Sequence, residues 1–188
     1  FFNLKTIKGK FDVLSALGFI EYFPTKDLNL FIKECSKLLN NKGDIFIGSR
    51  NRLFNAFTCN DFTRLEINLK NSQKILLESS LIASSVSIKD FKKKIKSIDL
   101  KYKHPEKHPK TSEISVSKRF QYSPAELIER VEANNFKIID LFPISYHSLP
   151  MLKNSLYYDL SIDDLINTKV KNPLSFLPFC SSFIIHAR

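Results

Sequence analysis

The clearest hydrophobic pattern lies in residues 11–49, where it predicts a strand, a loop, a helix and a second strand. Residues 10–18 run from a charged start into apolar and small positions and end on glycine, as a buried strand that feeds a tight turn does. Apolar positions between Leu28 and Leu39 then recur at helical spacing, and residues 44–49 form a second short apolar run. This order predicts the parallel crossover unit of an α/β fold.

Two signals bound the predicted helix. Asp27 is a candidate N-cap, because its carboxylate can accept a bond from a backbone N–H of the first turn. Residues 40–43, Asn-Asn-Lys-Gly, form a helix stop with a glycine that tolerates positive φ.

After Arg50 the pattern changes. Residues 50–64 are predicted to be a loop, 70–85 and 87–98 to be amphipathic helices, and 99–118 to be a polar connection. This stretch is too long for a routine crossover, so we expect an inserted cap or lid over about 50–120.

The domain pattern resumes at Ser123. Ser123 as N-cap, Pro124 at the first helical position and Glu126 as capping-box partner predict a helix that runs to Ala133. The remaining predicted elements are a strand over 136–142, a weak helix over 152–168 and a last strand over 181–187.

The net charge of +10 is concentrated in residues 89–119, which carry eleven basic and four acidic side chains. Such a cluster could track phosphates or an anionic surface. The segment contains one Arg among its lysines, whereas Arg is the residue suited to bidentate phosphate recognition. A solvated surface segment is therefore the favoured interpretation.

The remaining composition favours a cytoplasmic protein. Cys35, Cys59 and Cys180 lack the spacing of a metal knuckle or a redox dithiol, which favours reduced thiols. No stretch approaches the roughly 20 apolar residues that span a bilayer, and nothing near Phe1 resembles an export signal. At 188 residues, the chain is long enough for one domain.

Four phrases of the sequence resemble class I S-adenosylmethionine-dependent methyltransferases. They are Phe-Asp-Val-Leu with Gly-Phe-Ile-Glu-Tyr-Phe-Pro in 11–24, Leu-Leu-Asn-Asn-Lys-Gly-Asp-Ile-Phe-Ile in 38–47, the pair Tyr-Ser-Pro-Ala-Glu-Leu and Asn-Asn-Phe-Lys-Ile in 122–138, and the closing 181–188. The resemblance implies a partial Rossmann-like sheet made of strands four to seven, the last one antiparallel, with a helical insertion. Residues 1–188 would then be the C-terminal part of one such domain. It also implies S-adenosylmethionine as cofactor and, as our expectation, a small-molecule methyl acceptor.

The sequence departs from this family at its cofactor-binding half. The family has a Gly-rich loop, where the backbone approaches the cofactor closely, and an acid that holds its ribose. The four glycines here, Gly9, Gly18, Gly43 and Gly48, do not form such a loop, and the acid has no counterpart. We therefore expect the cofactor-binding half to lie upstream in cis, so that strand 11–17 would be an unpaired apolar edge of this fragment.

The resemblance places Ala16, Leu17, Gly18 and Phe19 at the carboxyl end of a central strand, where α/β sheets bind ligands. Their implied role is to flank the adenine and methionine parts of the cofactor.

Three further groups of residues are candidates for the substrate side. Glu21-Tyr22 stands where many relatives have Glu-His; Glu21 would orient a local group, and Tyr22 would be a weak base because a phenol has a pKa of about 10. Arg50, Asn51 and Arg52 follow the next strand and could bind a carboxylate or a phosphate. Tyr146 and His147 follow the third strand, with His147 as candidate base. No histidine has metal-ligand spacing with another candidate.

Two alternatives remain open on the sequence. One is a nucleic-acid methyltransferase that uses the basic residues 89–119. The other is a non-catalytic α/β lobe that pairs with another chain through its exposed strand edge.

Overall fold

The computed structural model describes residues 4–105, 119–147 and 172–188, which form a mixed α/β fold around a four-stranded sheet. The strands are β1 (Phe11–Ala16), β2 (Leu39–Arg50), β3 (Ile138–Tyr146) and β4 (Cys180–Ala187). The helices are α1 (Thr25–Leu38), α2 (Asp61–Asn68), α3 (Ser72–Ala83), α4 (Ile88–Ile95) and α5 (Pro124–Ala133). Short 3-10 helices span Leu4–Thr6, Ile20–Tyr22, Arg52–Ala56 and Pro173–Phe179.

The order of the strands across the sheet is β1-β2-β4-β3. β1 pairs in parallel with β2, while β4 is antiparallel to both of its neighbours. β1, β2 and β3 therefore run in the same direction, and their carboxyl ends share one edge of the sheet. The crossover unit and the antiparallel last strand are both confirmed, and β1 lies at an edge of the described sheet as expected.

One face of the sheet carries the core. Ile45 and Ile47 of β2 and Phe183 and Ile185 of β4 are fully buried, together with Leu28, Ile32, Leu127 and Val131 of the helices α1 and α5. The alternate positions on the same strands, such as Phe46 and Ile184, are only half-buried. This alternation is the period-two pattern of strands with one fully packed face.

The expectation that the first strand is buried is wrong for most of its length. Val13 is 55% exposed and Phe11 and Leu17 are also exposed, whereas Ala16 is buried. The cause is the position of β1, which has a paired neighbour on one side only in the described sheet.

Both predicted boundary signals of α1 are wrong. The N-cap is Pro24, so Asp27 lies in the first turn of the helix. The helix ends at Leu38, so residues 40–43 lie inside β2, and Gly43 does not have a positive φ.

The pairing with β1 jumps from Phe11–Leu39 to Val13–Asp44, so the four residues between form an irregularity in the ladder. A Cβ on Gly43 would lie 3.0 Å from the carbonyl oxygen of Phe11, which explains the glycine there. Lys10 Nζ donates to the carbonyl of Lys37 at 2.6 Å and so closes the C-terminus of α1.

The inserted region is helical, as expected, and contains one helix more than predicted. α3 and α4 confirm the two predicted amphipathic helices, whereas α2 lies partly in the stretch that was predicted to be a loop. The predicted weak helix over 152–168 lies outside the described residues. Among the described residues, no helix has the length and apolar character needed to cross a membrane.

Candidate ligand-binding edge

The candidate residues gather at the edge where β1, β2 and β3 end, because parallel strands bring their carboxyl ends together. Ala16 ends β1 and residues 17–19 follow it, Arg50 ends β2, and Tyr146 ends β3 with His147 directly after it. β4 lies between β2 and β3, so Arg50 at the end of β2 is two strand spacings, roughly 10 Å, from Ile144 of β3, and His147 lies three residues further along the chain.

The turn after β1 is open on its outer side. Gly18 has φ +74°, and a Cβ built on it would meet no atom within 4 Å. On the inner side, β2 approaches closely, since a Cβ on Gly48 would lie 3.1 Å from Leu17 Cδ2. Phe19 anchors the end of the turn by edge contacts with Phe23 and Phe31, at centroid distances of 5.3 and 5.2 Å.

Glu21 lies in the 3-10 helix after β1 and Arg50 ends β2, and the two form an ion pair with 2.6 Å between Arg50 Nε and Glu21 Oε2. The carboxylate of Glu21 is buried, while 44% of the Arg50 side chain remains exposed. Buried Glu21 therefore fixes the guanidinium by one of its nitrogens. The two Nη atoms make no hydrogen bond or ion pair to the described part of the chain, and they can take a carboxylate or a phosphate.

Tyr22 lies beside Arg119, whose guanidinium carbon is 5.9 Å from the centre of the phenol ring. The neighbouring amide of Phe120 donates to the carbonyl of Glu21 at 2.6 Å. Arg119 is thus a second cation at this edge. The sequence assigned Arg119 to the basic segment but gave no sign that it lies at this edge, because 68 residues separate it from Arg50 along the chain.

His147 is held by aromatic and backbone contacts. Its ring stacks on Phe54 at 4.9 Å, and its amide donates to the carbonyl of Phe179 at 3.0 Å. Burial lowers the pKa of His147 below its ordinary value, so the imidazole is neutral at pH 7 and can accept a proton. Tyr146 has an edge contact with Phe176 at 5.2 Å.

Asn51 has a structural role. It is buried, and its amide donates to the carbonyls of Leu177 and Cys180 at 2.6 and 2.9 Å. Its side-chain oxygen accepts from the amide of Leu53 and begins the 3-10 helix. These bonds use its polar atoms to join the end of β2 to the start of β4, so we remove it from the substrate-binding set.

Arg52 is also buried inside the protein. It forms a bidentate pair with Glu66, with both N–O distances at 3.0 Å, and donates to the carbonyl of Lys103 at 2.5 Å. Its guanidinium lies 3.6 Å from Glu126 and over the ring of Tyr102 at 4.8 Å. With 1% of the residue exposed, Arg52 joins the insertion to α5, and of the predicted cationic group only Arg50 stays a candidate for substrate.

The contacts of Arg52 belong to a larger buried polar cluster that sequence reasoning missed. Glu78 is fully buried, accepts from the amide of Ala125 at 2.9 Å and from the hydroxyl of Tyr102 at 2.7 Å, and its pKa is raised by burial to about 7. Burial also raises the pKa of Glu126, but the bond to His104 at 2.8 Å and the charge of Arg52 outweigh it and hold that pKa below its ordinary value. Carboxylates scattered over 60 residues gave no motif that could have revealed this cluster.

The basic segment is partly neutralised where the structure describes it. Lys92 pairs with Glu132, and Lys94 pairs with Asp90 at 2.9 Å. Residues 106–118 of the segment lie outside the described residues. Within residues 4–105, 119–147 and 172–188, no group of three or more His, Cys, Asp or Glu side chains could hold a metal ion.

No protein-family model and no curated protein matches the chain. Among solved structures, the chain is similar to a magnesium protoporphyrin IX methyltransferase of Synechocystis with bound SAH, at 12% identity and a TM-score of 0.42, over 99% of this chain and 48% of that one. It is similar to a SAM-dependent methyltransferase of Archaeoglobus fulgidus at 15% identity and a TM-score of 0.44, over 98% and 62% of the two chains. It is also similar to an S-adenosylmethionine-dependent methyltransferase of Clostridium acetobutylicum, at 12% identity and a TM-score of 0.43, over 97% of this chain and 59% of that one.

The chain thus spans about half to three fifths of the length of these structures. Likeness at these identities and TM-scores does not establish a function, so the proposal that follows rests on the strands and residues of this chain.

Proposed function

We infer that this chain takes part in S-adenosylmethionine-dependent methyl transfer to a small-molecule acceptor. The observation that carries the proposal is a juxtaposition: the turn 16–19, expected to flank the cofactor, lies at the same sheet edge as the Glu21–Arg50 pair. The strand order and the antiparallel β4 support it, because the sequence resemblance implies the same succession of elements. The upstream half in cis and a cytoplasmic location stay predictions.

The turn after β1 fits one wall of a cofactor site. Leu17 offers an exposed apolar side chain, and the open space at Gly18 lets a ligand approach the backbone closely. When bound, the cofactor would supply a methyl group on a positively charged sulfur. The turn itself would bind and orient it, while the exposed edge of β1 leaves room for further walls outside this chain.

On the acceptor side, the described residues would position a small anionic molecule. Arg50 would bind its carboxylate or phosphate, and Glu21 would keep the guanidinium in place. Neutral His147 could remove a proton from an acceptor that is not already a nucleophile. Orientation of the acceptor would supply most of the rate gain.

A titration of the 188-residue chain with S-adenosylhomocysteine, followed by NMR chemical shifts, tests the proposal. We expect weak, saturable shifts at Ala16–Phe19, because one wall binds less tightly than a complete site. Gly18→Val should abolish them, since a branched side chain fills the open space and strains a residue at φ +74°.

The matched control is Gly9→Val, because Gly9 also has a positive φ of +106° and open space around it but lies before β1. The proposal fails if the turn shows no saturable shift at millimolar ligand. It also fails if Gly18→Val and Gly9→Val change the shifts equally.

A further inference from the structure

A second cleft lies between α4 and α5, away from the Glu21–Arg50 pair. It has a volume of about 300 Å³, at the lower end of the range of roughly 300–1,000 Å³ for ligand sites. Residues 98–101, which follow α4, close it on one side. Nothing in the methyl-transfer proposal uses this cleft.

The floor of the cleft is apolar. Ile128 and Ala125 of α5 are buried, and Ile95 and Leu100 are partly buried residues that pack against the core. This floor would cover the apolar body of a small ligand and remove its apolar surface from water, which favours binding.

The walls carry opposite charges. Lysines line the cleft at Lys92 on α4, at Lys96 where α4 ends and at Lys101 in the segment that follows, and glutamates follow one face of α5 at Glu126, Glu129 and Glu132. With Asp99, three lysines therefore face four acids. A polyanion such as a nucleic acid gains little binding free energy here, because the acids offset the lysines. A ligand that carries both a positive and a negative charge is complementary to the cleft.

Three of these charges are not used by the fold. Lys92 pairs with Glu132, and Glu126 is held by His104 and Ser123. The side chains of Lys96, Lys101 and Glu129 make no hydrogen bond or ion pair to any residue that the structure describes. Two cations and one carboxylate that line the cleft and are exposed to solvent are thus available to a ligand.

We propose that this cleft binds a small zwitterion with an apolar body, of the chemical class of the aliphatic amino acids. Lys96 and Lys101 take its carboxylate, Glu129 takes its ammonium group, and the apolar side chain lies on the floor formed by Ile95 and Ile128. The ammonium and carboxylate groups of the ligand have to lie close together, because the lysines and the glutamate border the same apolar floor.

NMR titration of the 188-residue chain with three probes tests the site. L-leucine carries both charges, isocaproate lacks the ammonium group, and isoamylamine lacks the carboxylate. We expect saturable shifts along α4, 98–101 and α5 with L-leucine, and affinities about tenfold weaker for each singly charged probe.

Single substitutions test the contact to the ammonium group and the contact to the carboxylate separately. Glu129→Gln should weaken L-leucine and isoamylamine but leave isocaproate unchanged, whereas Lys96→Met should weaken L-leucine and isocaproate but leave isoamylamine unchanged. Lys93→Met is the control, because Lys93 is on α4 but does not line the cleft. Equal affinities for the three probes, no saturable shift at the cleft, or the same response in all variants would each overturn the proposal.

Discussion

At the scale of single residues, Arg52 is a charged side chain buried in the interior, with 1% of the residue exposed. A buried guanidinium loses its hydration, and only well-placed carboxylates and carbonyls return that free energy. Glu66 and the carbonyl of Lys103 supply those contacts, and the Glu126 carboxylate lies 3.6 Å away. Removing the cation would leave two buried carboxylates without it.

We predict that Arg52→Met lowers the free energy of unfolding by about 3–5 kcal/mol, since it breaks a buried pair from one side. Urea denaturation measures this loss. Arg64→Met is the control, because Arg64 pairs with Asp61 on the surface at 3.4 Å and both side chains are largely exposed. Equal losses in the two variants would contradict a structural role for Arg52.

The buried carboxyl of Glu78 predicts a pH dependence of stability. Its pKa is raised from 4.5 to about 7, first by burial, so the folded state binds the proton more tightly than the unfolded state does. The stability that it contributes is complete below about pH 4.5 and is lost as the pH rises through about 7, a change on the order of 3 kcal/mol.

Glu78→Gln should remove this dependence while it keeps an oxygen for the amide of Ala125. The test is the difference in unfolding free energy between the two proteins, measured in urea from about pH 5 to about pH 8. A difference that does not change over this range would show that Glu78 titrates normally.

The candidate site shows how far sequence can go at this scale. Residues next to strand ends, such as Gly18, Glu21 and Arg50, were predictable, because topology alone brings strand ends together. Asn51 and Arg52 also follow the end of β2 and were predicted to bind substrate like Arg50. Both are buried instead, because they bind Leu177 and Glu66, which are distant in sequence. Local pattern contains no information about those partners.

At the scale of elements, the start of α5 followed from local chemistry. Ser123 Oγ accepts from the amide of Glu126 at 3.2 Å, and Glu126 Oε2 accepts from the amide of Ser123 at 3.1 Å. This reciprocal capping box needs only residues three apart, which is why the sequence predicted it. α2 was missed because the Arg52 and Asn71 contacts to Glu66 that stabilise its packing are tertiary.

We predict that Ser123→Ala lowers the unfolding free energy by at least about 1 kcal/mol, because a helix N-terminus loses its cap and buried Glu78 loses the side-chain hydrogen bond of Ser123. Ser36→Ala is the control, since Ser36 lies on the exposed side of α1 and its side chain bonds, among the described residues, to the carbonyl of Lys33 alone. Thermal unfolding by circular dichroism compares the two. A loss in Ser36→Ala as large as in Ser123→Ala would refute capping as the cause.

At the scale of the whole molecule, the open edge of β1 governs association. An edge strand with apolar side chains can pair with another chain, and Val13 is 55% exposed at this edge. We predict that the 188-residue chain self-associates as its concentration rises and that Val13→Lys reduces this, as measured by sedimentation velocity.

Leu76→Lys is the matched control, because Leu76 on α3 is exposed to a similar extent, 53%, but lies on a helix. If both lysine variants reduce association equally, general surface hydrophobicity and not the strand edge would be responsible.

The position of Arg52 also affects the cooperativity of unfolding. The residue follows β2 within two positions and contacts α2, residue 103 and the first turn of α5, so sheet and insertion share one set of buried charges. Neither part can detach without leaving a charge uncompensated in the interior. The sheet and the inserted helices therefore form a single cooperative unit, in which amide hydrogens of α2 and of β2 exchange with solvent through the same global opening.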